Sequence, residues 1–344
     1  MKRIGINGFG RIGRTSLRVW WLYHRGEMEV DMINTSGSMD VDGWANLLKY
    51  DTNYGRLDAD VKFEKVQGRK EVTDENPVLG YIFLNEHRIT VTAQRDPVKI
   101  PWGQYGIDTI LESTGIFLDS ESAGGHLAGG AKKVILSAAA KDAEIPIYVL
   151  GVKNDDGSKN ITSNASCTTN CAAPIIKVMS ENFGIEKAML NTTHAYTDDQ
   201  NLQDNSHKDP RRARNAARNI VPTSTNAASA VGEVISEIKG IFDGVSMRVP
   251  VSVGSISDIV MVLKRDVTVE EVNEVLVRAS EGELKGIMAI STDPIVSQDI
   301  VGRRESSIVD LPLTNVVGGN LVRVVSWYDN EFGYCNRLIE QACL

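Results

Sequence analysis

The stretch Ser163-Asn164-Ala165-Ser166-Cys167-Thr168-Thr169-Asn170-Cys171 sets a cysteine among hydroxyl and amide side chains where a helix-patterned run begins. A helix N-terminus lowers a thiol pKa below its free value of about 8.5, which makes Cys167 a candidate nucleophile. Cys171 lies one turn further along and reads as a small buried hydrophobe. Such a nucleophile needs a base. Of the five histidines, His194 is the best placed, ending an alternating strand in Thr192-Thr193-His194-Ala195-Tyr196-Thr197-Asp198-Asp199-Gln200. Spacing alone leaves open whether it meets Cys167. The metal alternative uses the same residues, but Cys-x3-Cys on one helix with a histidine on a later strand is not a zinc spacing, and no metal is expected.

A second chemistry stands near the start. Gly8-Phe9-Gly10-Arg11-Ile12-Gly13 fits G-x-G-x-x-G, directly after a short strand and opening a helix pattern, with a further strand within about 30 residues. In that context backbone N–H groups and the helix N-terminus hold a dinucleotide pyrophosphate. The second strand ends in Asn34-Thr35-Ser36-Gly37, where an NAD site usually places an acid on the ribose. Small hydroxylated residues remove a carboxylate that would repel a 2′-phosphate, which favours NADP. The alternative is an ordinary NAD site served by Asp31 or Asp40. A third feature is residues 207–218, with five Lys or Arg against one Asp in an otherwise acidic chain. Such a run attracts a phosphorylated substrate or lines a subunit contact.

The elements that must position these residues follow from pattern. Residues 3–7, a helix over 12–24 and a strand over 29–34 make a strand–helix–strand unit, and the alternation returns at 108–112, 120–127 and 133–137. This favours a doubly wound parallel sheet. Between residues 58 and 96 the pattern weakens, and the polar, turn-like stretch 67–77 reads as a surface excursion. From Cys167 a helix runs to Phe183, closed by Gly184. Long alternating strands follow at 187–194, 255–264 and 321–327, with a capping box at Thr268-Val269-Glu270-Glu271. Strands feeding strands predict a second, α+β domain with a mainly antiparallel sheet. The fold class is thus α/β, with about two domains for 344 residues.

Composition excludes other classes. The net charge of −8 argues against a surface built for nucleic acid or an anionic membrane. Four cysteines in so long a chain make no disulfide framework, and no apolar run approaches the ~20 residues of a membrane span, so a cytoplasmic protein is expected.

At these residues the chain resembles phosphorylating glyceraldehyde-3-phosphate dehydrogenase. The resemblance runs over residues 4–344, through the glycine motif, Leu48-Lys49-Tyr50-Asp51, Ser113-Thr114-Gly115-Ile116-Phe117, the Cys167 stretch, Pro222-Thr223-Ser224-Thr225, Met247-Arg248-Val249-Pro250 and Trp327-Tyr328-Asp329-Asn330-Glu331-Phe332-Gly333-Tyr334. It implies a Rossmann NAD(P)-binding domain at 1–166 and 330–344 and a catalytic domain at 167–329. It implies that Cys167 forms a hemithioacetal, that His194 takes the proton, and that inorganic phosphate cleaves the later thioester. The cofactor would be held at Gly8, Gly10, Arg11, Ile12, Gly13, Asn34, Thr35, Ser36, Arg95, Ser113, Thr114, Ser137 and Ser206, with Asn330 on the nicotinamide carboxamide. Thr197, Asp199 and Arg248 match the site for the substrate's own phosphate. Ser166, Thr168, Thr225 and Arg212 match the site for attacking phosphate, with Asn226 beside it. The implied partners are glyceraldehyde 3-phosphate and inorganic phosphate, and the implied assembly is a homotetramer working in glycolysis or gluconeogenesis.

The departures carry information. Thr35 stands where the family usually has Asp, and Asn205-Ser206 where NAD-specific members carry Leu-Pro, the photosynthetic NADP-using forms having serine at the second place. Both point to NADP, with NAD the alternative. Asn226 replaces a glycine after Thr225; Pro210 and Ser252-Val253 also depart, unexplained. Two other readings are weighed. An erythrose-4-phosphate dehydrogenase is disfavoured by Tyr196-Thr197, because that relative typically lacks the threonine. A non-catalytic nucleotide- or RNA-binding protein would have no need for Cys167, His194, Arg248 and Asn330 together.

Overall fold

The structure, a computed structural model, describes residues 1–344. The chain forms two compact units, Met1–Ile147 with Asp155–Asn164 and Cys335–Leu344, and Tyr148–Asn154 with Ala165–Tyr334. Beside the expected split, Tyr148–Asn154, Ala165, Ser166 and residues 330–334 fall in the second unit. Local bonding accounts for the last two of these segments. Ser166 caps the helix that begins at Cys167, Asn330 is bonded to Gly254 and Ser255, and the Tyr334 hydroxyl donates to the Ala165 carbonyl.

In the first unit β1 (Lys2–Asn7) runs into α1 (Arg11–Val19), which continues as a π-helical turn over Trp20–His24. There follow β2 (Met28–Thr35), α2 (Val41–Lys49), the short pair β3 (Tyr50–Asp51) and β4 (Gly55–Arg56), then β5 (Val61–Lys65), β6 (Val78–Leu84) and β7 (His87–Ala93). β8 (Thr109–Glu112), α3 (Ser120–Ala128), β9 (Lys133–Leu136) and β10 (Ile161–Ser163) complete the unit's regular strands. The sheet order is β10-β9-β8-β1-β2-β7-β6-β5, parallel from β10 to β7 and antiparallel beyond. The chain therefore winds one way from β1 through β2 and the other way through β8. The crevice at the carboxyl ends of β1 and β8 is the topological switch point, where such sheets bind ligands.

The weakly patterned region 58–96 extends this sheet, and only residues 67–77 loop away from it. β7 lies between β2 and β6 with Thr90 and Thr92 buried, so polar residues at interior positions hide its period. One face of the sheet packs Met32, Ile110, Val134 and Leu136 against Trp102 and Ile107.

The second unit opens with α4 (Cys167–Phe183), capped by Ser166 and stopped at Gly184, and β11 (Ile185–Ala195). β12 (Val221–Ser224), α5 (Ala227–Val234), β13 (Phe242–Val249), β14 (Ser255–Leu263), α6 (Val269–Glu281), β15 (Met288–Ser291), β16 (Ser307–Asp310), β17 (Asn315–Val317) and β18 (Leu321–Tyr328) follow. α7 (Phe332–Cys343) ends the element order. The sheet order is β12-β13-β11-β14-β18-β16-β15, antiparallel except for the β13–β11 and β16–β15 pairs. The mainly antiparallel expectation holds. β14 alternates buried and half-buried residues along its whole length, with Ser255, Ser257, Ile259, Met261 and Leu263 inward. No helix is long and apolar enough to cross a membrane.

The capping box at α6 is fully formed: Thr268 Oγ1 accepts from the Glu271 N–H at 3.2 Å, and Glu271 accepts from the Thr268 N–H at 2.8 Å. Thr268→Ala leaves the Glu271 N–H without its cap and should cost about 1 kcal/mol of stability, measured by denaturant unfolding.

Candidate active site

In the first unit the candidate cofactor residues gather at the carboxyl ends of the parallel strands. Gly8 holds φ +91°, and a Cβ there would meet the Ser113–Thr114 backbone at 2.8 Å. A Cβ on Gly13 would meet the Gly8 carbonyl oxygen at 2.0 Å, so α1 can pack this close to the turn only with glycine. Gly10 has neither constraint, since a Cβ would meet nothing within 4 Å. Its openness fits the approach of a pyrophosphate, and α1 has no side-chain cap and no acid in its first turn. Ile12 is half-buried in that turn. Arg11 is taken up elsewhere: its guanidinium binds Asp51 at 2.5 and 3.4 Å, outweighing burial and holding that carboxyl below its usual range.

Sequence reading missed the hub beneath this turn. Glu112 is fully buried, and its Oε1 accepts from the Thr114 N–H at 2.7 Å and from the Thr114 hydroxyl. Its Oε2 accepts from Asn7 Nδ2 at 2.5 Å and faces His126 Nε2 at 2.9 Å. Trp102 Nε1, a donor only, points at His126 Nδ1 at 3.1 Å, so the imidazole carries its proton on Nε2 and donates it to Glu112. Ser113 Oγ completes the tie, lying 3.0 Å from the Asn7 carbonyl and 2.8 Å from that of Gly8. Ser137 follows β9, its N–H donating to the Glu112 carbonyl.

At the end of β2, Thr35 and Ser36, the residues expected at a 2′-phosphate, stand in different surroundings. Asn34 and Thr35 are buried; Asn34 bonds Asn7, Thr92 and Gln94, and the Thr35 hydroxyl donates to the Thr92 carbonyl at 3.1 Å. The Thr35 proton is thus already engaged. Ser36 is exposed, and its carbonyl accepts from Arg95 Nε at 3.3 Å. Arg69, which sequence reading passed over, donates to the Ser38 carbonyl. Its place in the polar loop gave no signal; only the fold brings that loop to the end of β2.

In the second unit α4 and β11 bring the nucleophile and base together. Cys167 Sγ lies 3.4 Å from His194 Nε2. His194 Nδ1 sits 2.7 Å from the Ala195 carbonyl, which only accepts, so Nδ1 carries the proton and Nε2 presents its lone pair to the thiol. Burial, followed by the charge of Arg248, pushes His194 down to about 3. Burial raises the Cys167 thiol, and Arg248 partly offsets it. The Tyr328 hydroxyl lies 2.9 Å from Thr168 Oγ1 and 2.7 Å from Thr192 Oγ1, and its ring meets His194 edge-on at 5.9 Å. Thr168, expected at a phosphate, is therefore buried against Tyr328. Cys171 is fully buried and pushed up to about 11 by desolvation, as befits an inert thiol. Ala165, just before the helix, holds φ +57°, a strained conformation of the kind that collects at functional sites.

Arg248 is the notable cation. Nη1 donates to Thr197 Oγ1 at 3.0 Å and lies 3.4 Å from the Ala195 carbonyl, while Nε is buried without a partner and no carboxylate pairs with it. Asp199, expected beside it, instead pairs with Arg212. Arg212 also faces Asp209 at 3.5 Å, and Arg214 pairs with Asp204 at 3.1 Å, so the basic loop is less positive than residues 207–218 alone suggest. Ser166 Oγ caps α4 at the Thr169 N–H, and Thr225 Oγ1 accepts from the Ala227 N–H. Asn226 begins α5 with its side chain exposed and capping nothing. Ser206 lies on an exposed loop held by Asn201. Asn330 Oδ1 accepts from the Gly254 N–H and the Ser255 hydroxyl, both at 3.0 Å, leaving its NH₂ to donate to a ligand.

A dinucleotide-binding Rossmann unit joined to a unit carrying a cysteine–histidine pair defines an NAD(P)-dependent dehydrogenase. Residues 2–120 match the family model for the glyceraldehyde 3-phosphate dehydrogenase NAD binding domain, and residues 166–330 the model for its C-terminal domain. The chain belongs to the glyceraldehyde-3-phosphate dehydrogenase family. It is 48% identical over 341 residues to glyceraldehyde-3-phosphate dehydrogenase 2 of Streptomyces avermitilis, covering 98% of this chain and 96% of that one. It is 47% identical over 345 residues to the Mycobacterium avium enzyme and 48% over 346 to that of Mycobacterium tuberculosis, each covering 99% of this chain and 98% of the relative.

The geometry of the pair sets a pH test. Without His194 the Cys167 thiol loses the base beside it, while burial still raises the thiol against the partial offset of Arg248 and the hydrogen bonds of Thr168 and the helix start. His194→Asn should lower kcat by about 10²–10⁴-fold and move the rise of iodoacetamide labelling at Cys167 to higher pH. An unmoved labelling profile would show that the imidazole does not govern the thiol.

Proposed function

We propose that this chain catalyses the reversible oxidative phosphorylation of glyceraldehyde 3-phosphate to 1,3-bisphosphoglycerate, using NADP in preference to NAD, as a homotetramer. The 3.4 Å approach of Cys167 Sγ to the lone-pair nitrogen of His194 carries the reading. Nε2 takes the thiol proton as Sγ attacks the aldehyde carbon, and passes it to the new alkoxide to give a hemithioacetal on Cys167. When bound, the nicotinamide supplies the hydride acceptor. His194 accepts the hydroxyl proton as the C–H bond breaks, leaving a thioester on Cys167. Inorganic phosphate attacks that carbonyl carbon, the Cys167 thiolate leaves, and His194 returns the proton to it.

Arg248 supports a phosphorylated substrate, because a half-buried guanidinium with no carboxylate and a neighbouring Thr197 hydroxyl is a ready oxyanion partner. For attacking phosphate, Thr225 and the opening of α5 remain the available groups, while Thr168 and Arg212 are held by Tyr328 and Asp199. The NADP reading rests on the absence of an acid at Thr35, the exposed Ser36 and the nearby Arg69 and Arg95. The amide NH₂ of Asn330 suits the nicotinamide carboxamide.

Initial rates on glyceraldehyde 3-phosphate and erythrose 4-phosphate test the substrate, and the triose should be clearly preferred. Arg248→Ala should lower kcat/KM for the triose phosphate by roughly 10- to 100-fold, mainly through KM, the worth of a hydrogen bond to a charged group. For the cofactor, wild type should show a higher kcat/KM with NADP than with NAD. Thr35→Asp should reduce NADP use by about tenfold or more through repulsion of the 2′-phosphate, with NAD use little changed. A wild-type preference for NAD would overturn the cofactor assignment.

A further inference from the structure

Outside the active site, three donor side chains of different chemistry converge in the first unit. His24 Nδ1, Glu27 Oε2 and Cys343 Sγ all lie within 4.8 Å of one another. Oε2 is the centre, 3.0 Å from Nδ1 and 3.1 Å from Sγ. The other histidine nitrogen has a fixed role. Asn336 Nδ2 donates to Glu340 Oε1 at 2.7 Å, which turns Asn336 Oδ1 toward His24 Nε2 at 3.3 Å. Nε2 therefore carries a proton, and Nδ1 is the nitrogen aimed at the cluster. Three groups that are all acceptors once deprotonated face each other, and Oε2 accepts the Sγ proton.

We propose that His24, Glu27 and Cys343 form a binding site for a zinc-class divalent cation. The dication displaces the protons that these donors hold toward one another, which pass to solvent. A sulfur, nitrogen and oxygen donor set suits a borderline-soft ion and not Ca²⁺ or Mg²⁺, which take oxygen ligands. Zinc bond lengths of about 2.0–2.3 Å in a tetrahedron put donors about 3.3–3.6 Å apart, so Oε2 draws back from Nδ1 and Sγ by only a few tenths of an ångström. Glu27 is able to give, since its side chain is 52% exposed, and solvent supplies the fourth ligand. The bond from His24 Nε2 to Asn336 is the outer partner that a metal-binding imidazole requires. The ion would tie the end of α7 to the turn between α1 and β2.

The other such group, Glu29, Asp31 and His87, carries no similar case. Arg3 already supplies a cation to Asp31 at 2.6 Å, and His87 Nε2 donates to the Val30 carbonyl at 2.9 Å.

The test uses full-length enzyme stripped with EDTA and carrying Cys167→Ser, so that the active-site thiol cannot report. Titration with Co²⁺ should give a near-ultraviolet thiolate-to-cobalt band saturating at a single equivalent, and Zn²⁺ should abolish it by displacement. Adding Cys343→Ser should remove the band, and adding Glu27→Gln should weaken binding by about tenfold or more. Zn²⁺ should raise Tm by about 3 °C or more in the Cys167→Ser protein and not once Cys343→Ser is added. Cys343→Ser in an otherwise wild-type chain should keep its dehydrogenase activity, which verifies the fold. Absence of a thiolate band, or its survival in the Cys343→Ser protein, overturns the proposal.

Discussion

The hydrogen bond from His194 Nδ1 to the Ala195 carbonyl decides what the active-site cysteine can do. Were the imidazole turned or its proton on the other nitrogen, Nε2 would offer hydrogen to a thiol that also offers hydrogen, and no transfer could start. The bond exists because His194 is the penultimate residue of β11 and β14 holds the last one, through the Ala195 N–H donated to Ser255 at 3.1 Å. Ser255 in turn donates to Asn330. One serine therefore fixes both the strand end that orients the base and the side-chain amide of Asn330. Tyr328 fixes the other side, its hydroxyl bridging α4 and β11 through Thr168 and Thr192.

Burial then sets the electrostatics. A buried thiol and a buried imidazole both resist charging, and Arg248 is the one cation that favours the thiolate while opposing the imidazolium. That cation is itself destabilised by burial and lacks a carboxylate. An anion arriving at Arg248 would relieve this cost.

How much of this was legible depends on whether the signal was local. Gly8 answers to its positive φ and Gly13 to the Gly8 carbonyl against which it packs, Gly10 being open, and the pattern that contains all three is readable as text. Ser166 and Cys167 at the mouth of α4 are likewise local, and so is the capping box at Thr268. The pairing of Cys167 with His194 needed the sheet, because only strand register places residue 194 opposite the helix start. β7 was obscured by Thr90 and Thr92, polar residues that a central strand buries. Glu112, His126 and Trp102 look unrelated in the sequence. Thr35 illustrates the opposite error: its residue type suggested a ligand contact, but the neighbouring Thr92 carbonyl claims its proton.

Glu112 shows how a Rossmann sheet can bury a charged group under its ligand turn. A carboxylate with no solvent contact would be costly if any acceptor lobe were left empty. Here both oxygens receive donors, two from Thr114 on one and Asn7 with His126 on the other. Trp102 settles the imidazole tautomer that makes the fourth donor possible. Asn7 ends β1 and Thr114 follows β8, so the carboxylate ties together the strand ends that flank the switch point. The glycine turn rests on that tie through Ser113. The same glycines that leave room for a phosphate also leave the backbone free to move, and the buried carboxylate is what restores a single geometry to it.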